Sequence, residues 1–369
     1  MRIVFVLAGL GAGGAEKVVN LLAHHRDSCG DEVHVIAVNA SDERSFFPYD
    51  DSIGVDALAQ APRLLRVGAT AFRLVELNRR LAAIKPDLII SFLTKVNVIT
   101  GLAAIGLNAP TIMSERNNFK AQSMSPFWRW MAPYAAGRAT GLVMQTADAR
   151  NSLPEHLRGR ASVIPNPVVV PAAGKRRSDM KGARFVAVGR LDKQKGFDML
   201  LTAFANVAQK IPDASLVIHG EGPERGALEQ QACALGISGC VQLPGVTNSP
   251  GEWVSPGDVF VLSSRFEGFP NVLLEALMGG MATVAFDCPW GPGEILEDGE
   301  TGLLVPEQNL DALSAAMMRV ATDPALRQRL VFSGQASVKR YSAPVIAAQW
   351  DAIIASAVRS KPVGSPVQA

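Results

Sequence analysis

Short, wholly apolar runs separated by segments of helical length dominate this 369-residue sequence. The runs lack the alternation of polar and apolar residues that marks a strand with one solvated face. Such runs are typical of strands buried on both faces of a parallel sheet, with crossover helices between them. The pattern therefore predicts an α/β protein built from βαβ units. The predicted strands are Ile3–Leu7, Val33–Val38, Leu88–Phe92, Thr111–Met113, Leu142–Met144, Phe185–Val188, Leu216–Ile218, Val241–Leu243, Val259–Leu262, Thr283–Phe286 and Gly302–Val305.

A proline-containing segment divides the chain into two halves. Asn166 stands between Pro165 and Pro167, and the polar, basic stretch Pro171–Ser178 follows. Such a segment is typical of a linker, and each half has the length of one doubly wound domain. We therefore expect a first domain over residues 1–165 and a second over residues 166–345.

Composition excludes several classes of protein. The chain carries 36 Lys+Arg and 34 Asp+Glu, and this net charge of +2 argues against a general nucleic-acid binder. The four cysteines include no C-x-x-C pair, which excludes a zinc ribbon and favours a reducing compartment. The longest early apolar run, Ile3–Ala15, contains four glycines, so we expect a strand and a turn there, not a signal peptide or a membrane span.

Two loops that follow predicted strands are candidates for anion binding. Gly11–Glu16 opens a helix, and free N–H groups at a helix start favour anions. Its spacing does not match the dinucleotide fingerprint G-x-G-x-x-G, so a plain tight turn is the alternative. The second loop carries Arg190, which can bridge two phosphate oxygens, and Lys195, which adds a point charge. Its place after a buried strand suits an anionic ligand, and a solvated basic loop is the alternative.

The strongest local pattern follows the strand Val259–Leu262. Glu267 stands on a loop before a helix that should begin at Pro270, and Glu275 lies one to two turns into that helix. Because a carboxylate accepts hydrogen bonds from vicinal sugar hydroxyls, we expect the two carboxylates to contact different parts of one ligand. An ordinary surface charge is the alternative for Glu275.

These residues together resemble the retaining glycosyltransferases of family 4. That family has the GT-B fold, an α/β fold of two Rossmann-like, doubly wound domains that face each other across a cleft. The resemblance covers nearly the whole chain, and the first half is particularly similar to bacterial enzymes that extend lipid-linked oligosaccharides and exopolysaccharide repeats. It implies that residues 346–369 form a helix crossing back to the first domain, plus a frayed tail. The matching motifs, in chain order, are Gly13-Gly14-Ala15-Glu16, Gly189-Arg190-Leu191 with Lys195-Gly196, Gly220-Glu221-Gly222-Pro223, the pair Glu267 and Glu275, and Gly291-Pro292-Gly293-Glu294-Ile295.

The resemblance implies a role for each motif. Arg190 and Lys195 would hold the diphosphate of a nucleotide-sugar donor and stabilise it as it leaves. These cations would replace a divalent ion, so neither a metal nor another cofactor is implied. Glu267 would contact hydroxyls of the transferred sugar and act with the two cations in catalysis, and Glu275 would bind the ribose. Further donor contacts are implied at Gly13, Gly14, Gly220, Gly222, Val246, Phe269, Pro270, Asn271 and Val272.

One loop of the first half departs from part of the family. Many members have a histidine near the sugar, whereas this sequence has Glu115, Arg116 and Asn117. These three residues are candidates for the sugar or acceptor side. The difference leaves the choice of donor sugar open.

Net charge is unevenly distributed along the chain. Residues 1–165 hold 18 Lys+Arg and 14 Asp+Glu, a net charge of +4, and the remainder holds 18 and 20, a net charge of −2. Arg116–Gln145 contains no acid and includes Trp128 and Trp130. Basic, aromatic helices are typical of contact with an anionic membrane surface, and a core helix with a basic rim is the alternative.

The predicted function is a retaining, metal-independent hexosyltransferase, cytoplasmic and peripheral on the inner face of the cell membrane. It would use a nucleotide-diphosphate sugar, with UDP favoured over GDP, and a lipid-linked glycan acceptor. The alternatives are a GT-B sugar-nucleotide epimerase or hydrolase and a degenerate transferase that acts as a binding scaffold. No nucleic-acid partner is expected, and the sequence leaves the oligomeric state open.

Overall fold

The chain forms two compact units, Met1–Asn166 with Ala343–Ala369, and Pro167–Ser342. The structure, a computed structural model, describes residues 1–11, 13–40, 43–58, 68–116, 124–168, 182–247, 251–255 and 258–360. The predicted linker Pro171–Ser178 and the predicted frayed tail beyond residue 360 lie outside these residues. Within these ranges, no helix combines the length and the apolar character needed to cross a bilayer.

A parallel sheet of seven strands forms the centre of the first unit. Its strands are β1 (Arg2–Leu7), β2 (Glu32–Ala37), β3 (Gly54–Ala57), β4 (Leu88–Phe92), β5 (Thr111–Ser114), β6 (Gly141–Met144) and β7 (Ala161–Val163). They lie in the order β3-β2-β1-β4-β5-β6-β7, and every pairing is parallel. The order reverses between β1 and β4, which makes the sheet doubly wound.

Helices cover both faces of this sheet. They are α1 (Gly14–Ser28), α2 (Ala69–Ile84), α3 (Thr94–Ala103), α4 (Pro126–Arg138) and the short α5 (Ala147–Asn151) and α6 (Glu155–Arg158). Alternate residues of β1 point to opposite faces. Phe5 packs in one apolar cluster with Val19 of α1, and Val4 packs in another with Leu77 of α2. Burial on both faces explains why the strands have no polar residues in alternation.

The second unit repeats the same plan with six parallel strands. They are β8 (Arg184–Val188), β9 (Ser215–His219), β10 (Val241–Gly245), β11 (Val259–Leu262), β12 (Ala282–Asp287) and β13 (Leu303–Pro306), in the order β10-β9-β8-β11-β12-β13. The helices are α7 (Phe197–Lys210), α8 (Arg225–Ala234), α9 (Asn271–Met278), α10 (Pro292–Ile295), α11 (Leu310–Thr322) and α12 (Pro324–Ser337). The order reverses between β8 and β11, so the loops after these two strands lie at the switch point.

The last helix, α13 (Ala343–Arg359), belongs to the core of the first unit. Its side chains Ile346, Trp350 and Ile354 are buried in the same cluster as Phe92 of β4. The rings of Phe92 and Trp350 lie 5.7 Å apart between centroids. An ion pair from Arg26 of α1 to Asp351, 2.7 Å long, holds the same helix at its polar side. The unit boundaries therefore fall after Asn166 and after Ser342.

Every strand predicted from the sequence is present, and two further strands were missed. The missed strands, β3 and β7, are the two edges of the first sheet. Each is short, and neither has a fully buried residue. Because an edge strand has one neighbour and partial solvent contact, its sequence lacks the apolar run that marks a central strand.

Candidate functional site

The loops after β8 and β11 bring the predicted donor-binding residues together in the second unit. These strands are hydrogen-bonded neighbours, with Phe185 paired to Val259, and both run in the same direction. Their carboxyl ends therefore lie side by side at the edge where doubly wound sheets bind ligands. The loop after β8 supplies Lys195, and the loop after β11 supplies Glu267.

Lys195 and Glu267 form a mostly buried ion pair at this edge. The Lys195 Nζ donates to Glu267 Oε1 at 2.7 Å, and the two side chains are 19% and 6% exposed. The hydroxyl of Ser264 donates to the same oxygen at 2.6 Å. Two donors on one carboxylate oxygen fix its position and the position of the ammonium group. A charged pair held in this way is preorganised for a polar, anionic ligand.

Lys195 lies in a single turn of 3-10 helix, Lys193–Lys195, and two side chains hold its backbone there. The Asp192 carboxylate caps this turn by accepting from the Lys195 N–H at 3.2 Å. The Ser263 hydroxyl donates to the Lys195 carbonyl at 3.0 Å. Gly196 then turns the chain with φ +63°, and a Cβ at this residue would lie 2.1 Å from the Ser263 carbonyl oxygen. Only glycine fits such a close approach, so the Lys-Gly pair sets the distance between the two loops.

Arg265 makes further contacts between the loop after β11 and the loop after β8. Its guanidinium donates to the Lys193 carbonyl at 2.8 Å and pairs with Asp198 of α7 at 2.7 Å. This pairing, as the largest influence, lowers the pKa of the Asp198 carboxyl. The Lys195 loop is thus held to the loop after β11 by both main-chain and side-chain contacts.

Arg190, the second predicted cation, lies at the exposed rim. Its side chain is 72% exposed and pairs with Asp192 at 2.5 Å. Asp192 therefore contacts both cation-bearing parts of the loop, Arg190 through its side chain and Lys195 through its backbone. A guanidinium has five N–H donors, so the donors that Asp192 does not occupy remain available to a phosphate group.

A pocket of about 270 Å³ adjoins Arg190 and is lined by some of the predicted donor-contact residues. Its lining includes Gly220, Val246 and His219, and burial lowers the pKa of the His219 ring. Gly220 has φ +145°, and a Cβ there would lie 1.8 Å from the Gly189 carbonyl oxygen. A Cβ at Gly222 would lie 2.4 Å from the Leu191 carbonyl oxygen. Both glycines are needed because β9 and the loop after β8 pass so close together.

The helix after Glu267 begins one residue later than the sequence suggested. Pro270 occupies the N-cap position, and its carbonyl accepts the first bond from the Leu273 N–H at 2.9 Å. The N–H groups of Asn271 and Val272 precede this bond, in the first turn of the helix. Phe269 is 7% exposed and packs against Tyr341, so only its backbone can serve a ligand. Glu275 lies in the second turn and is partly buried.

The glycine-rich loop of the first unit is arranged differently from the expectation. Gly13 is the N-cap of α1 and Gly14 is its first residue, as predicted for a helix-opening loop. However, the Glu16 carboxylate folds back over this start, since a Cβ at Gly13 would lie 2.1 Å from Glu16 Oε2. Burial raises the pKa of this carboxyl. An anion at this helix start must therefore share it with, or displace, the protein's own carboxylate.

The structure describes two of the three sugar-side candidates, Glu115 and Arg116, on the loop after β5. Glu115 accepts from the Thr94 hydroxyl at 2.7 Å and from the Arg116 N–H at 3.0 Å. Asn117 lies outside the described residues.

Arg116 is 6% exposed, with its guanidinium carbon 5.2 Å from the Phe92 ring centroid and 5.5 Å from that of Trp350. It donates to Asn166 Oδ1 at 2.6 Å. Burial lowers its pKa to about 9, so the group stays charged at neutral pH. This burial favours a structural role for Arg116, holding α13 and Asn166, over the sugar contact expected from the sequence.

Sequence reasoning gave no role to Asp192, Ser263 or Ser264. Asp192 accepts hydrogen bonds from Arg190 and from the Lys195 N–H, Ser263 donates to the Lys195 carbonyl, and Ser264 donates to Glu267. Asp192 had the clearest available sign, because Asp is a preferred cap before a helical turn.

Two doubly wound, parallel-sheet units are the architecture of the GT-B fold, and comparison with known proteins identifies a GT-B glycosyltransferase. Residues 12–170 match the family model described as "Glycosyltransferase Family 4", and residues 182–323 match "Glycosyl transferases group 1". The chain belongs to glycosyltransferase family 4 and is an enzyme that transfers a sugar.

Named proteins similar to this chain come from several bacteria. The chain is 29% identical, over 97% of its length, to an exopolysaccharide phosphotransferase of Streptomyces coelicolor, but it spans only 41% of that protein. It is 28% identical to an N-acetylgalactosaminyltransferase of Campylobacter jejuni whose name gives an undecaprenol diphosphate-linked acceptor, over 96% of this chain and 98% of that one. The fold matches HepE of Anabaena, solved with UDP and glucose, at a TM-score of 0.80 and 19% identity over 96% of this chain and all of that one.

Proposed function

We propose that this protein is a retaining, metal-independent hexosyltransferase. It moves a hexosyl unit from a UDP-sugar to a lipid-linked glycan in polysaccharide or glycan assembly. The observation that carries the proposal is the fixed Lys195–Glu267 pair at the switch point of the second sheet, where its two charges are 2.7 Å apart. A donor with a diphosphate beside a polyhydroxylated sugar matches this pair, because one group is anionic and the other is rich in hydroxyl donors.

Each part of the donor has a partner in the second unit. Lys195 and Arg190 take the diphosphate, and the N–H groups of Asn271 and Val272 add backbone donors to it. The base occupies the pocket beside Gly220 and Val246. Glu275 takes the ribose hydroxyls. The UDP in the HepE complex supports UDP over GDP as the donor nucleotide.

The chemical step follows from these positions. The bond between the anomeric carbon and the phosphate oxygen breaks, and its electron pair stays with the departing diphosphate. The acceptor oxygen bonds to the anomeric carbon on the same face, and its proton passes to the diphosphate. Glu267 is already bound to Lys195 and Ser264, which suits orientation of sugar hydroxyls more than nucleophilic attack. The charge of Lys195 opposes the charge that grows on the leaving group, a contribution that typically accelerates reactions by roughly 10²–10³-fold.

The acceptor and its location rest on the relatives and on helix α4. The Campylobacter relative is named for an undecaprenol-linked acceptor, and the Streptomyces relative for exopolysaccharide. The aromatic residues Phe127, Trp130 and Tyr134 of α4 are at least half exposed, and Trp130 is 73% exposed. Exposed aromatics on a helix without acids suit an anionic lipid surface. We place the enzyme at the cytoplasmic face of the membrane as a peripheral protein.

A two-stage experiment tests the function. A thermal-shift screen over UDP- and GDP-sugars identifies the donor, since a ligand at 100 times its dissociation constant adds about 2.7 kcal/mol of stability. Transfer to a prenyl diphosphate-linked sugar is then measured with and without EDTA, and NMR of the product gives its anomeric configuration. The expected product has the configuration of the donor, and EDTA has no effect. Donor hydrolysis or epimerisation without transfer would favour the epimerase alternative, and binding without turnover would favour a scaffold.

A further inference from the structure

The first unit contains a cavity of about 510 Å³ beneath helix α4. Its walls are mainly apolar and come from α3, β5, β6, α4 and the segment that carries α6. A cavity of this size is in the range of pockets that bury small ligands, roughly 300–1,000 Å³. The side chains used in the argument below are Met113, Ala132, Ala136, Leu142, Met144 and Leu157.

Helix α4 presents three different faces. Met131 and Ala135 are buried in the protein, and Phe127, Trp130 and Tyr134 form an exposed aromatic face. The third face lines the cavity with Ala132, Pro133 and Ala136, together with the stem of Arg129. The cavity face thus lies next to the aromatic face on a single helix of 13 residues.

Small side chains and a proline leave this space open. Ala132 and Ala136 lie one turn apart, and each lines the cavity with only a methyl group. Pro133, inside the helix, has no N–H to donate to the Arg129 carbonyl, which weakens the helix at the cavity wall. On the next turn α3 and α4 are in tight contact, because a Cβ at Gly101 would lie 3.3 Å from the Ala135 Cβ. Helix α4 is therefore packed tightly against α3 at Ala135. The cavity is thus not the result of loose packing along the whole of α4.

Charge is confined to the cavity's margin. Arg129 is exposed and supplies a cation there, while Glu115 and Thr94, which are hydrogen-bonded to each other, supply a polar end near the loop after β5. An apolar space of this kind excludes water and favours hydrocarbon. A cation at its margin complements an anionic head group attached to that hydrocarbon.

We propose that this cavity holds the first isoprene units of the acceptor's prenyl chain. The inference rests on the proposed function, because it assigns a site to the lipid part of that acceptor. The exposed aromatic face of α4 contacts the membrane, and the adjacent cavity receives the segment of chain that leaves it. Arg129 then lies beside the diphosphate, and the polar end near Glu115 is left for sugar hydroxyls.

Isothermal titration with farnesyl diphosphate tests the site in the full-length protein. Saturating UDP is present so that the donor loops are occupied, and inorganic pyrophosphate is the head-group control. Ala132→Phe and Ala136→Phe fill the cavity from two positions, so that one informative variant remains if the other fails to fold. Ala82→Phe, at an exposed position of α2, is the matched control for an added aromatic ring.

The wild type and Ala82→Phe are expected to bind farnesyl diphosphate at least tenfold more tightly than pyrophosphate. Each folded cavity variant should lose about tenfold in affinity, equivalent to about 1.4 kcal/mol, while its UDP affinity stays unchanged. Wild-type affinity in a folded, filled variant overturns the inference, as does equal binding of farnesyl diphosphate and pyrophosphate. The proposed function fails separately, by absence of sugar transfer from any nucleotide sugar to a soluble acceptor.

Discussion

The proposed function gives Lys195 a catalytic role in addition to its structural one, and a pair of substitutions should separate them. Its ammonium group lies 2.7 Å from Glu267 Oε1, and the Glu267 side chain is only 6% exposed. Lys195→Ala leaves this carboxylate buried without its cation. Hydrogen bonds to charged groups contribute about 1.5–3 kcal/mol, so we expect the second unit to lose about 2 kcal/mol of stability. For a domain of its size, this lowers the Tm by about 4–8 °C.

The loss of turnover should exceed what instability explains. A domain with a typical stability of about 5–15 kcal/mol stays almost entirely folded at 25 °C after losing 2 kcal/mol. We nevertheless expect kcat to fall about a hundredfold or more, since the departing diphosphate loses one preorganised charge. That loss corresponds to about 2.7 kcal/mol in the activation barrier.

The double variant Lys195→Ala/Glu267→Gln separates the loss of stability, which comes from the buried unpaired carboxylate, from the loss of kcat. The amide removes the buried charge, so stability should return most of the way to wild type while kcat stays low. Lys193→Ala, at an exposed position of the same turn, is the matched control and should change neither quantity by much. Thermal unfolding and donor-saturated turnover are measured on all four proteins. Near-wild-type kcat in a folded Lys195→Ala protein would refute the assignment of Lys195 to the leaving group.

Three further perturbations test the remaining assignments. Glu275→Gln should weaken binding of free UDP about tenfold, whereas Glu267→Gln should leave it nearly intact and reduce transfer; equal losses in titration calorimetry would contradict this division. Gly220→Ala should weaken UDP binding at least tenfold, because its Cβ would lie 1.8 Å from the Gly189 carbonyl oxygen, and unchanged affinity would exclude the pocket as the base site. Trp130→Ala should reduce the salt-resistant part of flotation with anionic liposomes, and flotation equal to wild type would exclude membrane contact by this face.

The sequence predicted the strands of the second sheet and the central strands of the first, and it missed the two edge strands of the first sheet for one physical reason. A central parallel strand is buried on both faces, so nearly every residue must be apolar, and β1 and β4 show this fully. The edge strands β3 and β7 are held by backbone pairing to one neighbour and tolerate polar residues. Their existence depends on the sheet beside them and not on their own composition.

The proposed donor-binding residues could be located from the sequence because their positions are set by the strands directly before them in the chain. Lys195 and Glu267 lie on loops that immediately follow predicted strands, and parallel strands place such loops at one edge. The role of Arg116 could not be found in this way. Its surroundings are set by Trp350 on α13 and by Asn166 at the end of the first unit, which are distant in sequence and become neighbours only in the folded unit.

The acceptor side of the molecule is harder to infer for a different reason, which helix α4 illustrates. Gly196 and Gly220, in the proposed donor site, are required by backbone geometry, so they mark their positions in this sequence. On α4, apolar and aromatic residues occur on all sides, and periodicity alone cannot assign them to core, cavity or surface. The assignment comes from what lies opposite each face: the protein core behind Met131, the open space beside Ala132 and solvent around Trp130. In the proposed site, recognition of the acceptor's lipid depends on unfilled volume, and the small size of the Ala132 and Ala136 side chains is the feature that decides it.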